Sequence, residues 1–272
     1  MTTPRGHGLR ASQAQASLFA DPPEAAAPVS ASPAAAEPAP RPRAAARRGR
    51  RPEGRREDAA SMAARQREIS ISEFFTKNRH LLGFDNPQKA LLTAVKEAVD
   101  NSLDACEEAG ILPDLAIEIA EVAESRFRIA VEDNGPGIVR QQIPKIFGKL
   151  LYGSKFHRLK QQRGQQGIGI SAAGMYGQIT TGRPVRIVSR VGARKPAHLF
   201  EIAIDTQKNA PVVLEDEEIE WDRAHGTRVE IEIEAVYKKG RRSVDDYGEQ
   251  TALANPHASI RYVAPRDEPR PF

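Results

Sequence analysis

The segment from Asn86 to Gly110 constrains the fold more than the rest of this sequence, because both of its ends and both of its faces are defined. Asn86 is a good helix N-cap, Pro87 suits the first helical turn, and Gly110 favours a stop. Apolar residues recur between them at three- and four-residue spacing, which indicates a face packed on a core. These residues are Leu92, Val95, Val99 and Cys106. The segment therefore predicts one long amphipathic helix.

A second face of the same helix carries Glu97, Asn101 and Asp104 at helical spacing, with no cation between them. A solvated helix face usually mixes Lys and Arg with its acids, so a simple solvated face is one interpretation and a site is the other. Oxygen atoms on one face suit a hard cation such as Mg²⁺, and a neighbouring Glu suits a general base. This face is the first candidate site.

Alternation of apolar and polar residues predicts seven strands after the helix. They cover residues 115–120, 127–133, 185–191, 198–204, 212–215, 228–233 and 260–263. Two short helices are predicted between them, at 143–151 and 170–176. The pattern favours an α+β fold, a two-layer sandwich of one mixed or mostly antiparallel sheet with helices on one face. Residues 69–84 are apolar but irregular, and predict a short helix followed by a strap that packs on a partner.

Three glycine-containing motifs follow the first strands. Asp133 to Gly137 reads DNGPG, where two glycines allow close backbone approach and Asp133 offers an acceptor for an exocyclic amine, although a plain β-turn explains the motif equally well. Arg163 to Gly169 reads RGQQGIG before a predicted helix, and its backbone N–H groups suit a phosphate chain with Lys155 nearby. This loop lacks the spacing of a Walker P-loop and follows no strand. His225-Gly-Thr precedes a strand and is a common turn by itself.

The first 67 residues are rich in Ala, Pro and Arg and predict a disordered tail. They contain twelve Arg against six acidic residues, a net charge of about +6, so the remainder of this +4 chain is near −2 and is not a basic DNA-binding module. No apolar run of eighteen residues and no signal peptide are present. The single Cys106 excludes an internal disulfide and a Cys-based zinc site, and a reducing cytoplasm is expected.

The tail itself has several interpretations besides a solvated low-complexity segment. Its arginines suit nonspecific contact with nucleic-acid phosphates. Its Arg- and Ser-containing composition also resembles an organelle transit peptide, but Asp21, Glu24 and the many prolines argue against this interpretation. Gln15 to Phe19, QASLF, resembles the short peptide with which bacterial replication proteins dock on the sliding clamp.

The order of the motifs is more specific than any one of them. Glu97-x3-Asn101-x2-Asp104, DNGPG, GQQGIG and HGT follow one another over about 130 residues, and in this order they resemble the GHKL ATPase superfamily with its Bergerat nucleotide fold. Longer stretches are similar to the B-subunit family of DNA topoisomerase VI, nearly continuously from Ile69 to Val263. They are FFTKNRHLLGFDNPQKALLTAVKEAVDNSLDACEEAGILP, FGKLLYGSKF and RGQQGIGISAAGMYGQITTGRP.

The resemblance implies roles for the matching residues. Glu97 is expected to be the general base that deprotonates the attacking water, Asn101 to ligate Mg²⁺, and Asp133 to accept a hydrogen bond from the adenine amine of ATP. The other implied nucleotide contacts are Asp104 and Gly137, which shape the site, Thr227 on the adenine side, Ser154 and Lys155 in a lid, and Gly164, Gln165, Gln166, Gly167, Ile168, Gly169, Ile170 and Ser171 around the phosphates.

The resemblance also implies an ATP-driven gate. Two copies are expected to close on ATP, with the strap of residues 68–85 crossing to the partner, and to pair with two DNA-cleaving A subunits in an A2B2 assembly that passes one DNA duplex through another. Residues 86–265 would form the ATPase domain and 266–272 the truncated start of the next region, since helix-two-turn-helix and transducer domains are missing and the chain is expected to be a fragment. In the family a lysine of the transducer domain reaches back to the γ-phosphate, and some family members carry Lys where Ser171 stands. These two departures put efficient hydrolysis by this chain alone in doubt.

Other classes remain as alternatives. A sensor histidine kinase shares the nucleotide fold, but it needs a phosphoacceptor His on a dimerising helical hairpin, and His80 lies in no such hairpin. A mismatch-repair or chaperone ATPase shares the Glu, the Asn and DxGxG but fits the longer stretches less well. A noncatalytic ATP-binding interaction module is a further alternative, against which stands the intact Glu97.

Overall fold

The helix at the centre of the prediction forms as expected. The computed structural model describes residues 69–150, 152 and 168–265, and the backbone of 270–271. Helix α2 spans Pro87–Ala109, the Asn86 side chain accepts hydrogen bonds from the Gln88 and Lys89 amides, and Gly110 ends the helix in the left-handed region with φ 68°. Its buried face is wider than predicted, because alanines share it, and Leu92 is only half-buried.

A helix also precedes α2, over part of the predicted strap. Helix α1, Ile71–Leu82, is capped by Ser70 and ends at Gly83. Its Phe75 is fully buried, and its Arg79 guanidinium lies 5.3 Å from the centre of the Tyr176 ring. The chain from Ile71 to Leu82 is therefore one regular helix packed on its own domain, more regular than the short helix predicted, and the exchange of residues 68–85 between two copies stays a prediction.

Eight strands form one sheet in the described part of the chain, and all seven predicted strands are among them. In order across the sheet they are β5 (Ala210–Ile219), β4 (Ala197–Asp205), β3 (Val185–Arg190), β6 (Gly226–Glu234), β2 (Arg126–Asp133), β1 (Asp114–Ala123), β7 (Ser259–Val263) and β8 (Arg270–Pro271). Only the β1–β7 pair is parallel. The architecture is the predicted α+β class with a mixed, mostly antiparallel sheet.

The middle of the sheet joins two halves, and each half contains strands that are neighbours in sequence. Strands β1 and β2 form a hairpin, and β3, β4 and β5 form a meander. Strand β6 connects the halves by pairing with β3 on one side and β2 on the other. We call the pairing of β2 with β6 the seam. At one end of the seam, Asp133 of β2 faces Thr227 of β6.

The two faces of the sheet differ as strand periodicity requires. On the inner face, alternate residues such as Phe127, Ile129 and Val131 are buried in one core with α2 and the other helices. The outer face carries ion pairs around Arg223 and Arg228. These arginines contact Asp114, Glu118, Glu132 and Glu230. In the described part of the chain, a helical layer therefore covers one face only.

Three further helices of the described residues belong to this layer. Helix α3, Ile143–Gly148, is shorter than the predicted 143–151, and α4, Gly169–Thr181, extends beyond the predicted 170–176. Helix α5, Val244–Ala254, was not predicted, although Ser243 caps it and Asp245 and Asp246 occupy its first turn. It forms the crossover between β6 and β7.

Some predictions concern parts of the chain outside the described residues. These are the tail, with its QASLF segment and its arginines, and the segment after residue 265 apart from the short strand β8. In the described residues, no helix combines the length and the apolar character needed to cross a bilayer.

Candidate functional site

A cleft of about 300 Å³ opens between α2, the end of β2 and the start of α4. Apolar side chains form one wall, namely Ile138, Ile146, Phe147 and Val229. Eight of the predicted site residues line the cleft: Glu97, Asn101, Asp104, Asp133, Gly137, Gly169, Ile170 and Thr227. The structure thus brings together residues that are up to 130 positions apart in the sequence.

Asp133 is the buried acceptor at one end of the cleft. Its side chain is 5% exposed. One carboxylate oxygen, Oδ1, accepts hydrogen bonds from the amides of Gly135 and Thr227 at 2.8 and 3.1 Å, and the other, Oδ2, accepts from the Ser102 hydroxyl at 2.8 Å. Burial raises the pKa of this carboxyl, and the three hydrogen bonds oppose that rise. Because Oδ2 has one protein donor and Oδ1 has two, Oδ2 retains more capacity for a ligand donor.

Backbone contacts fix the DNGPG loop around this acceptor. Gly137 has φ +71°, and a Cβ there would overlap the carbonyl oxygen of Arg190, so only glycine fits. Asn134 accepts a hydrogen bond from the Asp114 amide at 2.9 Å and donates to the Leu112 carbonyl at 3.0 Å. His225, of the HGT motif, contacts the Gly135 carbonyl through Nδ1 at 2.8 Å. The loop is thus held from both sides of the sheet seam.

The hydroxyl groups of Ser189 and Thr227 extend this hydrogen-bond network. The Ser189 and Thr227 hydroxyls are 3.1 Å apart, and Ser189 Oγ also accepts from the Ile138 amide at 2.8 Å. Both hydroxyls are buried. Since Ile138 lines the cleft, these bonds set the position of its apolar wall relative to Asp133.

Glu97 lies in the same cleft, against the first residue of α4. A Cβ on Gly169 would overlap the Glu97 carboxylate, so the backbone at this point approaches the acid closely. Among the described residues no side chain caps the start of α4. A helix N-terminus presents backbone N–H groups and a positive dipole end, which favours phosphate oxygens. The structure therefore places a carboxylate beside an anion-binding helix end.

The described residues contain no group of three His, Cys, Asp or Glu side chains that could hold a metal ion by themselves. Asn101 is in the cleft wall, one helical turn from Glu97. Its amide oxygen suits Mg²⁺, which takes few protein ligands when substrate phosphates supply the others. The residues therefore fit a nucleotide-borne Mg²⁺ better than an independent metal centre.

The remaining predicted contacts are placed differently or are not described. Ile168 and Ser171 are buried outside the cleft wall, and the Ser171 hydroxyl donates to the Ile168 carbonyl at 3.0 Å. The other predicted contacts, Ser154, Lys155, Gly164, Gln165, Gln166 and Gly167, lie outside the described residues.

Several lining residues are not evident from the sequence patterns. Glu108 continues the helical spacing of Glu97, Asn101 and Asp104, so its place in the cleft could have been predicted from the sequence. Ser102, which lines the cleft, and Ser189, which lies beside Thr227, had no such signal, because their hydroxyl groups find their partners only after distant parts of the chain come together. Tyr152 also lines the cleft, and its hydroxyl donates to Gln142 Oε1 at 2.7 Å.

Comparison with known proteins agrees with this geometry. Residues 86–237 match the family described as "Histidine kinase-, DNA gyrase B-, and HSP90-like ATPase". The chain belongs to this ATPase family. The match supports the GHKL resemblance and implies nucleotide binding, and the domain extends through α5 and β7 beyond the matched residues.

Within the family, the chain is similar to archaeal proteins named as the B subunit of type 2 DNA topoisomerase 6. It is 57% identical over 208 residues to that of Methanococcoides burtonii, which covers 76% of this chain and 33% of the relative. It is 54% identical over 205 residues to that of Archaeoglobus fulgidus, which covers 75% of this chain and 34% of the relative. The chain thus spans about a third of the length of these relatives.

Among solved structures, the ATP-binding domain of topoisomerase IV from Francisella tularensis, in complex with a small-molecule inhibitor, is matched with a TM-score of 0.48 and 17% identity. The match covers 75% of this chain and 54% of the other.

Proposed function

We propose that this chain binds ATP with Mg²⁺, hydrolyses it, and acts as the ATPase part of the B subunit of a topoisomerase VI, a type IIB DNA topoisomerase. One observation carries the proposal: a single cleft holds the buried acceptor Asp133 and, at the start of α4, the carboxylate of Glu97. Helix α2 fixes their spacing, because Glu97 and Ser102, the partner of Asp133, are five residues or about 7 to 8 Å apart along its axis.

The Asp133 end of the cleft suits adenine. The exocyclic amine would donate to Asp133 Oδ2, while Ile138, Ile146 and Val229 would pack on the ring. A buried carboxylate with three fixed donors cannot turn away from its ligand, so it selects an amine over a carbonyl at that position.

The Glu97 end suits hydrolysis of the terminal phosphate. As the oxygen of a water bonds to the γ-phosphorus and the bond to the β–γ bridging oxygen breaks, Glu97 would accept a proton from that water, giving ADP and phosphate. The amides at the start of α4 would bind the phosphate oxygens. Mg²⁺, held by Asn101 and the phosphates, would supply charge neutralisation.

Similarity to the named topoisomerase subunits supports the wider role. At 53–57% identity, a common assembly is the simplest expectation, with two copies closing on ATP and two A subunits cleaving the DNA duplex. The outer face of the sheet, whose arginines are paired with acids, offers no broad basic surface in the described residues. Contact with DNA through the complex fits this charge distribution.

The first test is hydrolysis and binding by the purified chain and its Glu97→Gln variant. We expect the variant to bind a nonhydrolysable ATP analogue with nearly unchanged affinity and to lose turnover by a factor of about 100 or more, since it removes a base and leaves the ground-state contacts. Equal turnover in both proteins would reject the catalytic assignment. Binding without turnover in either would favour a noncatalytic ATP-binding module.

The second test addresses closure and partners. Light scattering after size exclusion, with and without Mg²⁺ and the analogue, should show analogue-dependent dimers. Joined to the remaining two thirds of an archaeal relative's B subunit and mixed with the matching A subunit, the chain should give a complex that relaxes supercoiled DNA only with ATP. Turnover without any A-subunit association would point to another ATPase of this family, of the mismatch-repair or chaperone type.

A further inference from the structure

A buried contact links α2 to the C-terminal helix α5 beside the cleft. The Asp100 carboxylate is only 7% exposed. Its Oδ1 accepts a hydrogen bond from the Tyr247 hydroxyl at 3.0 Å, and its Oδ2 accepts from Lys96 Nζ at 2.5 Å. Tyr247 is 147 residues away in the sequence, so this contact exists only in the folded domain.

Helix α5 is fixed independently at its start. Ser243 caps it through a 3.1 Å hydrogen bond from the Asp246 amide. Tyr237 donates to the buried carboxylate of Asp245, with both oxygens at 3.0 Å. Because these contacts hold α5 without α2, Tyr247 reaches Asp100 from a rigid support.

Asp100 lies on the turn of α2 that carries the cleft residues. It is three residues after Glu97 and directly before Asn101, and side chains three apart on a helix are neighbours. Burial, the negative charge of Asp100 and that of Glu97 all raise the pKa of the Tyr247 phenol. The phenol thus keeps its proton and donates it to Asp100 in the hydrogen bond.

We propose that Tyr247 and Asp100 are positioning residues for the proposed ATP hydrolysis, because their hydrogen bond holds the turn of α2 with Glu97 and Asn101 against the start of α4. Gly169 contacts Glu97 on the α4 side, and Tyr247 supports the turn from the α5 side. The inference rests on the proposed function. It implies that hydrolysis also requires α5, which lies after the residues matched by the family, 86–237.

The test is the Tyr247→Phe variant, which removes one hydroxyl and leaves the ring. We expect kcat to fall about tenfold or more, because a small displacement of the base is costly, while affinity for the nonhydrolysable analogue stays within about twofold of the wild type. Hydrogen exchange at the amides of residues 97–101 should rise. In a double-mutant cycle with Asp100→Asn, the double variant should lose no more activity than Asp100→Asn alone.

The matched control is Tyr237→Phe, which removes a phenol–carboxylate contact from the same helix without touching α2. It should lower the melting temperature at least as much as Tyr247→Phe but leave kcat unchanged. Wild-type kcat in Tyr247→Phe, with no turnover in Glu97→Gln, would overturn this inference alone, as would equal kcat losses in both tyrosine variants. A wild-type chain without hydrolysis would overturn the proposed function and this inference together.

Discussion

A hydrogen bond of 2.8 Å joins the Ser102 hydroxyl of α2 to the Asp133 carboxylate at the end of β2. Both residues are buried, and both line the cleft. The helix that carries Glu97 and the strand that carries the proposed adenine acceptor are therefore joined by a side-chain hydrogen bond in the cleft itself. We therefore expect a change at this hydrogen bond to affect the stability of the core and the shape of the cleft together.

The Ser102→Ala variant should weaken both folding and nucleotide binding. It removes a donor from a buried carboxylate, and hydrogen bonds to charged groups contribute about 1.5 to 3 kcal/mol. We expect a loss of this size in urea unfolding and a lower affinity for the nonhydrolysable analogue in titration calorimetry. Thr180→Ala, which removes a 2.8 Å bond to the Tyr176 carbonyl outside the cleft, should leave the affinity unchanged. Unchanged analogue affinity in Ser102→Ala would contradict the coupling.

The Asp133→Asn variant should separate binding from stability. An amide oxygen at Oδ1 still accepts from the Gly135 and Thr227 amides, and its nitrogen can donate to Ser102, so the fold should be kept. The same nitrogen faces the adenine amine as a second donor. We expect ATP binding to weaken by about 1 to 3 kcal/mol with a near-native unfolding midpoint. Wild-type affinity would exclude Asp133 as the adenine acceptor.

Nucleotide affinity should fall on acidification because of Asp133. Burial raises the pKa of this carboxyl above the value of about 3.9 expected in the unfolded chain. Its contribution to folding is therefore complete below the unfolded pKa and is lost as the pH rises through the folded pKa. Binding has the opposite dependence, since the adenine amine needs the carboxylate that forms above that pKa. Affinity measured against pH should thus begin to drop at a higher pH than an ordinary Asp would cause.

The comparison that isolates this effect is the same titration on Asp133→Asn, which has no proton to gain at that position. Its affinity should be lower at neutral pH and should vary less over the same range, apart from any titration of the nucleotide. Parallel pH profiles in the two proteins would assign the dependence to another group.

The Gly169→Ala variant should impair turnover by displacing Glu97. The added Cβ would overlap the Glu97 carboxylate, so the acid or the start of α4 must move. We expect hydrolysis to fall by at least about tenfold, since catalytic groups tolerate little misplacement. Gly192→Ala is the matched control, because no heavy atom lies within 4 Å of its added Cβ. Equal activity of the two variants would show that the close approach has no role.

Much of the framework follows from local patterns. The Asn86 cap, Pro87 and the Gly110 stop define α2 without tertiary information, and strand alternation identifies seven of the eight described strands. Helix α5 is not among the predicted elements, although Ser243 and the acids after it are a usual start signal. Its sequence lacks a strong apolar period, and the helix is stabilised by packing on α2 and β7.

The site was predictable to a lesser degree. Motif order indicated Glu97, Asn101 and Asp133, because their chemistry is visible in the residue types. Asp100 gave no such signal, since burial of its carboxylate depends on Tyr247, 147 residues later. Long-range hydrogen bonds of this kind connect residues that no periodicity relates, so they are found only in the folded chain.

The seam between β2 and β6 affects how the domain folds. The β1–β2 hairpin and the β3–β4–β5 meander consist of contacts between sequence neighbours, whereas the pairing of Asp133 with Thr227 closes a loop of 94 residues. Forming such a long-range contact is slow because the entropy of loop closure opposes it. A ligand held by both strands can bind only after this closure. ATP should therefore leave the refolding rate nearly unchanged and slow unfolding in proportion to its concentration above Kd, so that the nucleotide would extend the lifetime of the folded domain.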